Sequence, residues 1–380
     1  MFGVYIHVPF CSSRCGYCDF NTYTPGELGS SASFASYLDA LEHELELAAA
    51  LRESRGDRRQ ANTVFIGGGT PSMLGARGLT RILEAIRNTT GIASDAEITT
   101  ESNPESTSLE FFAALREAGY TRISLGMQSA SPTVLRILER AHTPGRAFDA
   151  AREAQQAGFS HVNLDMIYGT PYETDDDVRL TLEKVLETGV DHVSAYSLIV
   201  EDGTRMARKV RKGEIPAPQE DTYADRFAMI DRELQAAGMQ WYEVSNWARP
   251  GGECQHNLGY WRNFDWWGAG PGAHSHLQGQ RFSNVKHPAR YAQQLSTGQL
   301  PIAEEEQLTA VERHEERVML GLRLREGLST STFSASEQAV IQRFVELGLL
   351  TMNTQVALTE KGRLLADGMI TDILLAHDVD

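Results

Sequence analysis

Three thiols stand close together near the start of the chain, in the stretch Pro9-Phe10-Cys11-Ser12-Ser13-Arg14-Cys15-Gly16-Tyr17-Cys18-Asp19-Phe20. Their CxxxCxxC spacing follows directly on the apolar run Gly3 to Val8. Pro9 ends that run and Gly16 loosens the turn, so the cysteines are expected on a loop. A loop of this length can wrap a small inorganic cluster, each thiolate reaching a different metal. Three thiolates hold three irons of a 4Fe-4S cubane, one fewer than in ferredoxins, and leave one iron open to a ligand that is not protein. Two other chemistries compete for such a trio. A structural zinc site needs a fourth ligand and normally uses two separated pairs. A disulfide suits a secreted chain.

Further residues gain meaning from where they fall. The run Gly67-Gly68-Gly69-Thr70-Pro71 lets backbone N–H and C=O groups approach a ligand with no Cβ in the way, or it is a tight strand-to-helix turn. Glu101 is either a surface ion-pair partner or, at the mouth of a barrel, a carboxylate for an ammonium or for ribose hydroxyls.

The elements that position these residues follow from hydrophobic periodicity. Strands are predicted at Val4–Val8, Asn62–Ile66, Glu97–Glu101, Thr121–Leu125, His161–Met166 and His192–Leu198. Between them, Phe34, Tyr37, Leu38, Leu41, Leu45 and Ala48 share one helical face. Thr107 and Glu110 read as a capping box whose helix Gly119 closes. Ser131-Pro132 reads as an N-cap with proline at the first helical position, and Thr174 to Gly189 as a further helix. Six β-then-α units predict a parallel sheet with right-handed crossovers. Six units instead of eight predict an α/β fold built on an incomplete (β/α)6 barrel, with its chemistry at the carboxyl ends of the strands. The cysteines follow strand one, the glycine run strand two and Gln128 strand four, while Glu101 and Asp165 end strands three and five.

The cysteine spacing resembles the signature of the radical S-adenosylmethionine (SAM) superfamily. There SAM chelates the open iron, and one electron from the cluster cleaves it to methionine and a 5′-deoxyadenosyl radical. Longer stretches narrow the likeness. Tyr5-Ile6-His7-Val8-Pro9-Phe10-Cys11, Cys18-Asp19-Phe20, the glycine run, Glu101-Ser102-Asn103-Pro104, Ser124-Leu125-Gly126-Met127-Gln128-Ser129 and Asp165-Met166-Ile167-Tyr168-Gly169-Thr170-Pro171 resemble the oxygen-independent coproporphyrinogen III oxidase group. The likeness spans nearly the whole chain. It implies that Cys11, Cys15 and Cys18 ligate the cluster and that Tyr5, Gly68 and Glu101 contact the SAM bound to it. It further implies that Tyr17, Gly69, Thr70, Gln128, Arg140 and Asp165 match positions that hold a second SAM in the oxidase. Plainer readings stand beside two of these: Tyr17 packs on adenine, and Arg140 is an exposed helix-end arginine.

Two departures from the oxidase pattern redirect the function. The oxidase carries another cysteine two residues after the third ligand, where this chain has Phe20. It also lacks the run His256-Asn257-Leu258-Gly259-Tyr260-Trp261. This HNxxYW run resembles the heme-chaperone branch of the group, whose members lack oxidase activity. The resemblance implies heme as cargo, a respiratory heme protein as acceptor, a reducing electron donor and room for a homodimer. It places heme contact at His256, Asn257, Tyr260 and Trp261. Imidazole is a natural axial ligand to heme iron, and Trp241, Trp247, Trp266 and Trp267 add flat apolar surface. The alternatives are that His256 and the tryptophans only pack between domains, and that Cys254 is the heme ligand or a buried apolar thiol. Oxidative decarboxylation of coproporphyrinogen III remains the competing function.

Composition bounds the rest. A chain of 380 residues with 41% hydrophobic residues accommodates one large domain and a smaller one. A formal charge of −16 argues against nucleic-acid binding. Three of the four cysteines lie in the opening loop, which is metal usage in a reducing compartment. Residues 1–30 show no signal-peptide pattern and no run approaches ~18 apolar residues, so a cytoplasmic protein without a membrane span is expected. The expected domains are a barrel over 1–202, a linker and α+β extension carrying HNxxYW over 203–305, and a winged-helix-like domain over 306–380. Within the second, the basic stretch 203–218 is expected as a solvated linker, and Gly268, Gly270 and Gly272 as a glycine-lined turn, since no helix context supports dinucleotide binding. The C-terminal part has seven Lys/Arg against eleven Asp/Glu over 308–380, so a lid or partner surface is expected there instead of DNA binding.

Overall fold

The computed structural model describes residues 1–28, 33–140 and 143–377. Its centre is six strands that pair in parallel in chain order: β1 Phe2–Val8, β2 Ala61–Gly68, β3 Ile92–Ser102, β4 Arg122–Gln128, β5 His161–Tyr168 and β6 His192–Ser197. A helix follows each. Period-two alternation divides the side chains between two faces. Val4, Ile6, Val64, Ile66, Ile98, Ile123, Leu125, Leu164 and Val193 are buried in the apolar core. The alternate positions Tyr5, Phe65, Glu101, Ser124, Asn163, Asp165 and Ser194 line the lumen of the incomplete barrel.

Helix Phe34–Ser54 buries Tyr37, Leu38, Leu41, Leu45 and Ala48 as expected. Phe34 stays 39% exposed, with its ring 4.8 Å from Phe10. The cap expected at Thr107 lies one residue later. Ser108 accepts from Phe111 N, because Thr107 closes the preceding 3-10 turn Pro104–Ser106. Gly119 ends that helix with φ 108°, in the left-handed region. Ser131-Pro132 opens helix Pro132–Ile137, and Thr174 with Asp177 forms a capping box for helix Asp175–Glu187.

The extension continues the same sheet past both edges of the barrel. β7 Gln240–Glu243 and β8 Asn246–Ala248 join at β6. β9 Asp265–Ala269, β10 His274–Leu277, β11 Gln280–Asn284 and β12 Ile302–Gln307 join at β1, giving a twelve-stranded sheet. The expected linker contains helix Arg205–Arg211, N-capped by Thr204. Its cations are not simply solvated: Arg205 and Lys209 pair with Glu139 at 3.1 and 2.7 Å. Gly268 lies inside β9, where a Cβ would stand 2.1 Å from the His274 carbonyl oxygen. Glycine there permits close strand packing. At one outer edge, Glu304, Glu305 and Glu306 of β12 are exposed. At the other, Arg325 N donates to the Tyr242 carbonyl of β7.

The C-terminal part has its own core of Val318, Ile341, Val356, Ile370 and Ile373. Helices Ala310–Gly321, Ala335–Glu346 and Ala366–Leu375 enclose it, with the small sheet β13 Leu328–Ser329, β14 Leu350–Met352 and β15 Gln355–Leu358. Leu347, just past the end of helix Ala335–Glu346, is 67% exposed. Arg363 locks this part to the extension. It bonds Asp231 at 2.9 Å and lies 4.1 Å over the Trp241 ring. Among the described residues, no helix is long and apolar enough to cross a membrane.

Candidate functional site

The three cysteines lie on a loop that leaves β1 and folds back on itself. Tyr23 N donates to Pro9 O at 2.7 Å, and Cys11 N donates to Tyr23 O at 3.0 Å. The glycine run grips the loop from beneath: Gly69 N donates to Val8 O and Thr70 N to Phe10 O. A Cβ on Gly69 would stand 2.4 Å from the Phe10 carbonyl oxygen, so that position tolerates only glycine. All three thiols are free and partly exposed. Thr70 Oγ1 approaches Cys11 Sγ at 3.7 Å and Arg140 Nη1 approaches Cys15 Sγ at 3.5 Å. Burial pushes the Cys18 thiol up to about 11. Three convergent thiols with no fourth cysteine beside them suit a cluster with one open iron, since Cys254 is engaged at the opposite end of the barrel.

Polar groups cluster at the same strand ends. Glu101 Oε2 accepts from Gly68 N at 3.0 Å. Burial, then the charge of Asp165, raises the Glu101 carboxyl to about 8. Asp165 is also raised, by burial, although Ser124 Oγ and Asn163 Nδ2 donate to it at 3.0 and 2.7 Å. Tyr5 OH donates to His7 Nδ1 at 3.1 Å, since His7 Nε2 donates to the Asn21 carbonyl at 2.9 Å. Gln128 is buried and held at φ 70°, left-handed backbone that non-glycine residues rarely adopt. Arg140 is no exposed helix-end arginine: Nη2 donates to Gly126 O at 3.0 Å, and a Cβ on Gly126 would stand 2.7 Å from that nitrogen. Tyr17 packs beside Val134 and Leu138, and burial raises its phenol. Tyr5, Tyr17, Gly68, Gly69, Thr70, Glu101, Gln128, Arg140 and Asp165 thus gather at one end of the barrel, with the cysteines.

The HNxxYW run lies at the other end. Helix Gln255–Trp261 closes the amino ends of the strands. His256 is 3% exposed, and both ring nitrogens are engaged: Nδ1 with Thr63 Oγ1 and Nε2 with Tyr260 OH, each at 2.9 Å. Burial lowers its imidazole to about 3. Asn257 donates to Tyr242 OH and Glu243 Oε1, and Trp261 packs against Leu324 and its neighbours. Neither His256 nitrogen is open to a ligand in this conformation, where the run is a plug. The tryptophans form no single wall either. Trp241 and Trp247 lie at the β7–β8 edge, Trp266 and Trp267 on β9. Cys254 is buried and donates to Glu97 Oε1 at 3.4 Å, its thiol raised by burial to about 12. The same carboxylate accepts His256 N and pairs with Arg122, which anchors the plug.

Between the two ends lies a polar lumen of about 130 Å3. Pockets for drug-sized ligands begin at about 300 Å3. Its wall includes residues that motif reading passed over. His192 donates from Nδ1 to Asn163 Oδ1 and accepts the Tyr242 hydroxyl on Nε2, at 2.7 and 2.9 Å. The available signal was a polar residue at every second position of otherwise apolar strands.

Comparison with known proteins gives concordant likenesses. A model of the radical SAM superfamily matches residues 5–185, and one of the HemN C-terminal domain matches residues 308–365. The chain is 54% identical over 374 residues to the heme chaperone HemW of Mycobacterium tuberculosis strain H37Rv, covering 98% of this chain and 95% of that protein. It is 32% identical to HemW of Bacillus subtilis strain 168, covering 97% of each. In fold it is similar to the Escherichia coli coproporphyrinogen III oxidase HemN, a radical SAM enzyme. The TM-score is 0.83 at 24% identity, covering 99% of this chain and 89% of that one.

Proposed function

Since the chain belongs to the heme chaperone HemW family, we propose that it binds heme in the cytoplasm and delivers it to respiratory heme proteins, on a radical SAM scaffold. The observation that carries this reading is full-length likeness to proteins named as heme chaperones, joined to a trio of thiols at the barrel mouth. Cys11, Cys15 and Cys18 hold the 4Fe-4S cluster. Tyr5, Gly68 and Glu101 contact the SAM bound to it. Tyr17, Gly69, Thr70, Gln128, Arg140 and Asp165 supply a second set of polar contacts beside it. When bound, the cluster and SAM supply one-electron chemistry. The chain's own groups bind, orient and exclude water: Glu101 gives up its proton to meet a cationic group, and the glycines let backbone reach the ligand.

Heme is cargo. His256, Asn257, Tyr260 and Trp261 contact it once their helix leaves its seat, because both His256 nitrogens are otherwise engaged. Loading is then a conformational step. A reducing electron donor and a respiratory acceptor are the partners of this reading, and a homodimer is its assembly.

Hemin titration of anaerobically reconstituted protein tests it. A saturable Soret shift is expected, weakened at least tenfold by His256→Ala in protein whose circular dichroism is unchanged. A shift indifferent to that variant removes the run from heme contact, and the absence of any shift overturns the chaperone reading. With SAM and reductant the same protein should leave coproporphyrinogen III intact; decarboxylation to vinyl products would make the chain an oxidase.

A further inference from the structure

We propose that His314, Glu337 and His377, in the C-terminal domain, form a site for one divalent transition-metal ion of the zinc class. The three residues come from separate elements. His314 lies within helix Ala310–Gly321, Glu337 in the first turn of helix Ala335–Glu346, and His377 just beyond helix Ala366–Leu375. Glu337 is fully buried, and the two imidazoles are mostly covered. The rings stack at 4.3 Å between centroids and 20° between planes, with the carboxylate at their edge. One donor atom from each residue lies within 4.8 Å of the other two.

Hydrogen bonding alone does not satisfy this arrangement. Glu337 Oε2 is taken by Ser334 N at 2.7 Å, which leaves Oε1 to face the histidines. His314 Nε2 contacts Oε1 at 2.6 Å. His377 Nδ1 stands 3.5 Å from the same oxygen, buried and without a hydrogen-bond partner among the described residues. A buried polar atom left so is uncommon and destabilising. A metal ion takes all three donors together. Zinc bonds of about 2.0–2.1 Å place tetrahedral donors roughly 3.3 Å apart. The observed 2.6 and 3.5 Å bracket that spacing, and turning the stacked rings out of parallel brings both nitrogen lone pairs to one point beside Glu337 Oε1. Two imidazoles and a carboxylate form a borderline N2O set that suits Zn2+, Co2+ or Ni2+, with water filling the open position. Such an ion clasps the chain beyond the last helix to two earlier helices over the core of Ile341, Ile370 and Ile373. It therefore adds its binding free energy to the stability of this domain.

The test uses the full chain with its cluster reconstituted, so that the loop thiols are occupied, and Co2+ as the probe. One Co2+ per chain is expected, with d–d absorption and no thiolate charge-transfer band. His377→Gln should weaken it at least 100-fold, and His314→Gln/His377→Gln should abolish it. His43→Ala, a change at a half-exposed histidine on helix Phe34–Ser54, outside this domain, should leave it unchanged. Zn2+ should raise the melting temperature of wild type and not of the double variant. Absence of such a spectrum in wild-type protein at micromolar Co2+ overturns the proposal without recourse to any variant. So does a spectrum with thiolate bands, or one that persists in the double variant.

Discussion

Single residues in this protein carry opposite electrostatic burdens at the two ends of one barrel. Glu101 is a carboxylic acid held up to about 8 by burial and by Asp165. A raised carboxyl is protonated at neutral pH, so a cationic ligand must displace that proton. SAM affinity should therefore rise with pH below 8, by at most about tenfold per unit. Glu101→Gln should remove that slope; isothermal titration of both proteins between pH 6.5 and 8.5 measures it. His256 is the reverse case, an imidazole lowered to about 3. The unfolded state binds its proton more readily. Stability is thus complete above the ordinary histidine value of about 6.5 and is lost as pH falls from there towards 3. Removing the ring in His256→Ala leaves Thr63 and Tyr260 without their partner and opens a cavity, at a cost of about 2–4 kcal/mol. Urea unfolding at pH 7 and pH 5 should show that loss, together with a flatter pH response in the variant. The placing of the cysteines and Glu101 at one end of the barrel was legible because spacing and strand-end position survive in one dimension. The burial of His256 was not. A short run of His, Asn, Tyr and Trp reads the same whether it faces solvent or plugs a lumen, and its partners Thr63 and Glu97 lie far away in the chain.

Elements explain why so much of the barrel could be anticipated. Buried parallel strands are apolar on one face, and here the lumen face is polar, so alternation marked all six, although β3 begins at Ile92, well before its expected start at Glu97. Helix caps were less secure. Thr107 and Ser108 offer the same hydroxyl, and only the preceding 3-10 turn decides between them. The short strands β7 to β11 escaped notice because each is five residues or fewer and takes its place from neighbours already in the sheet. The turn after β2 is the element on which the cluster loop rests. Gly69→Ala brings a methyl group onto the Phe10 carbonyl, and the loop must shift. The expected result is a folded protein with unchanged circular dichroism that retains less than about a tenth of wild-type iron and sulfide after anaerobic reconstitution. Iron and sulfide analysis reads this directly.

At the scale of the molecule, the two cores are joined by several contacts, among them Leu324 against Tyr242 and Leu258, the Arg262–Glu326 pair, and one arginine that is itself mostly buried. Arg363 leaves the C-terminal domain to pair with Asp231 and cover Trp241. Arg363→Ala strands a mostly buried carboxylate and uncovers the ring, which should cost about 2–3 kcal/mol. Hydrogen exchange should then quicken across helix Ala310–Gly321 and β14–β15 while β1–β6 keep their protection; uniform quickening would mean that the two cores unfold as one. The large sheet has a different consequence for life in a crowded cell. An open sheet ends in two fringes where a stranger's backbone can be stitched on, and long fringes of that kind seed fibres. Here one fringe is hemmed by Arg325, which occupies a Tyr242 carbonyl of β7, and the other bristles with Glu304, Glu305 and Glu306. A second copy laid along β12 in the antiparallel sense would bring like charges face to face. The sheet can therefore grow to twelve strands within one chain and stop there.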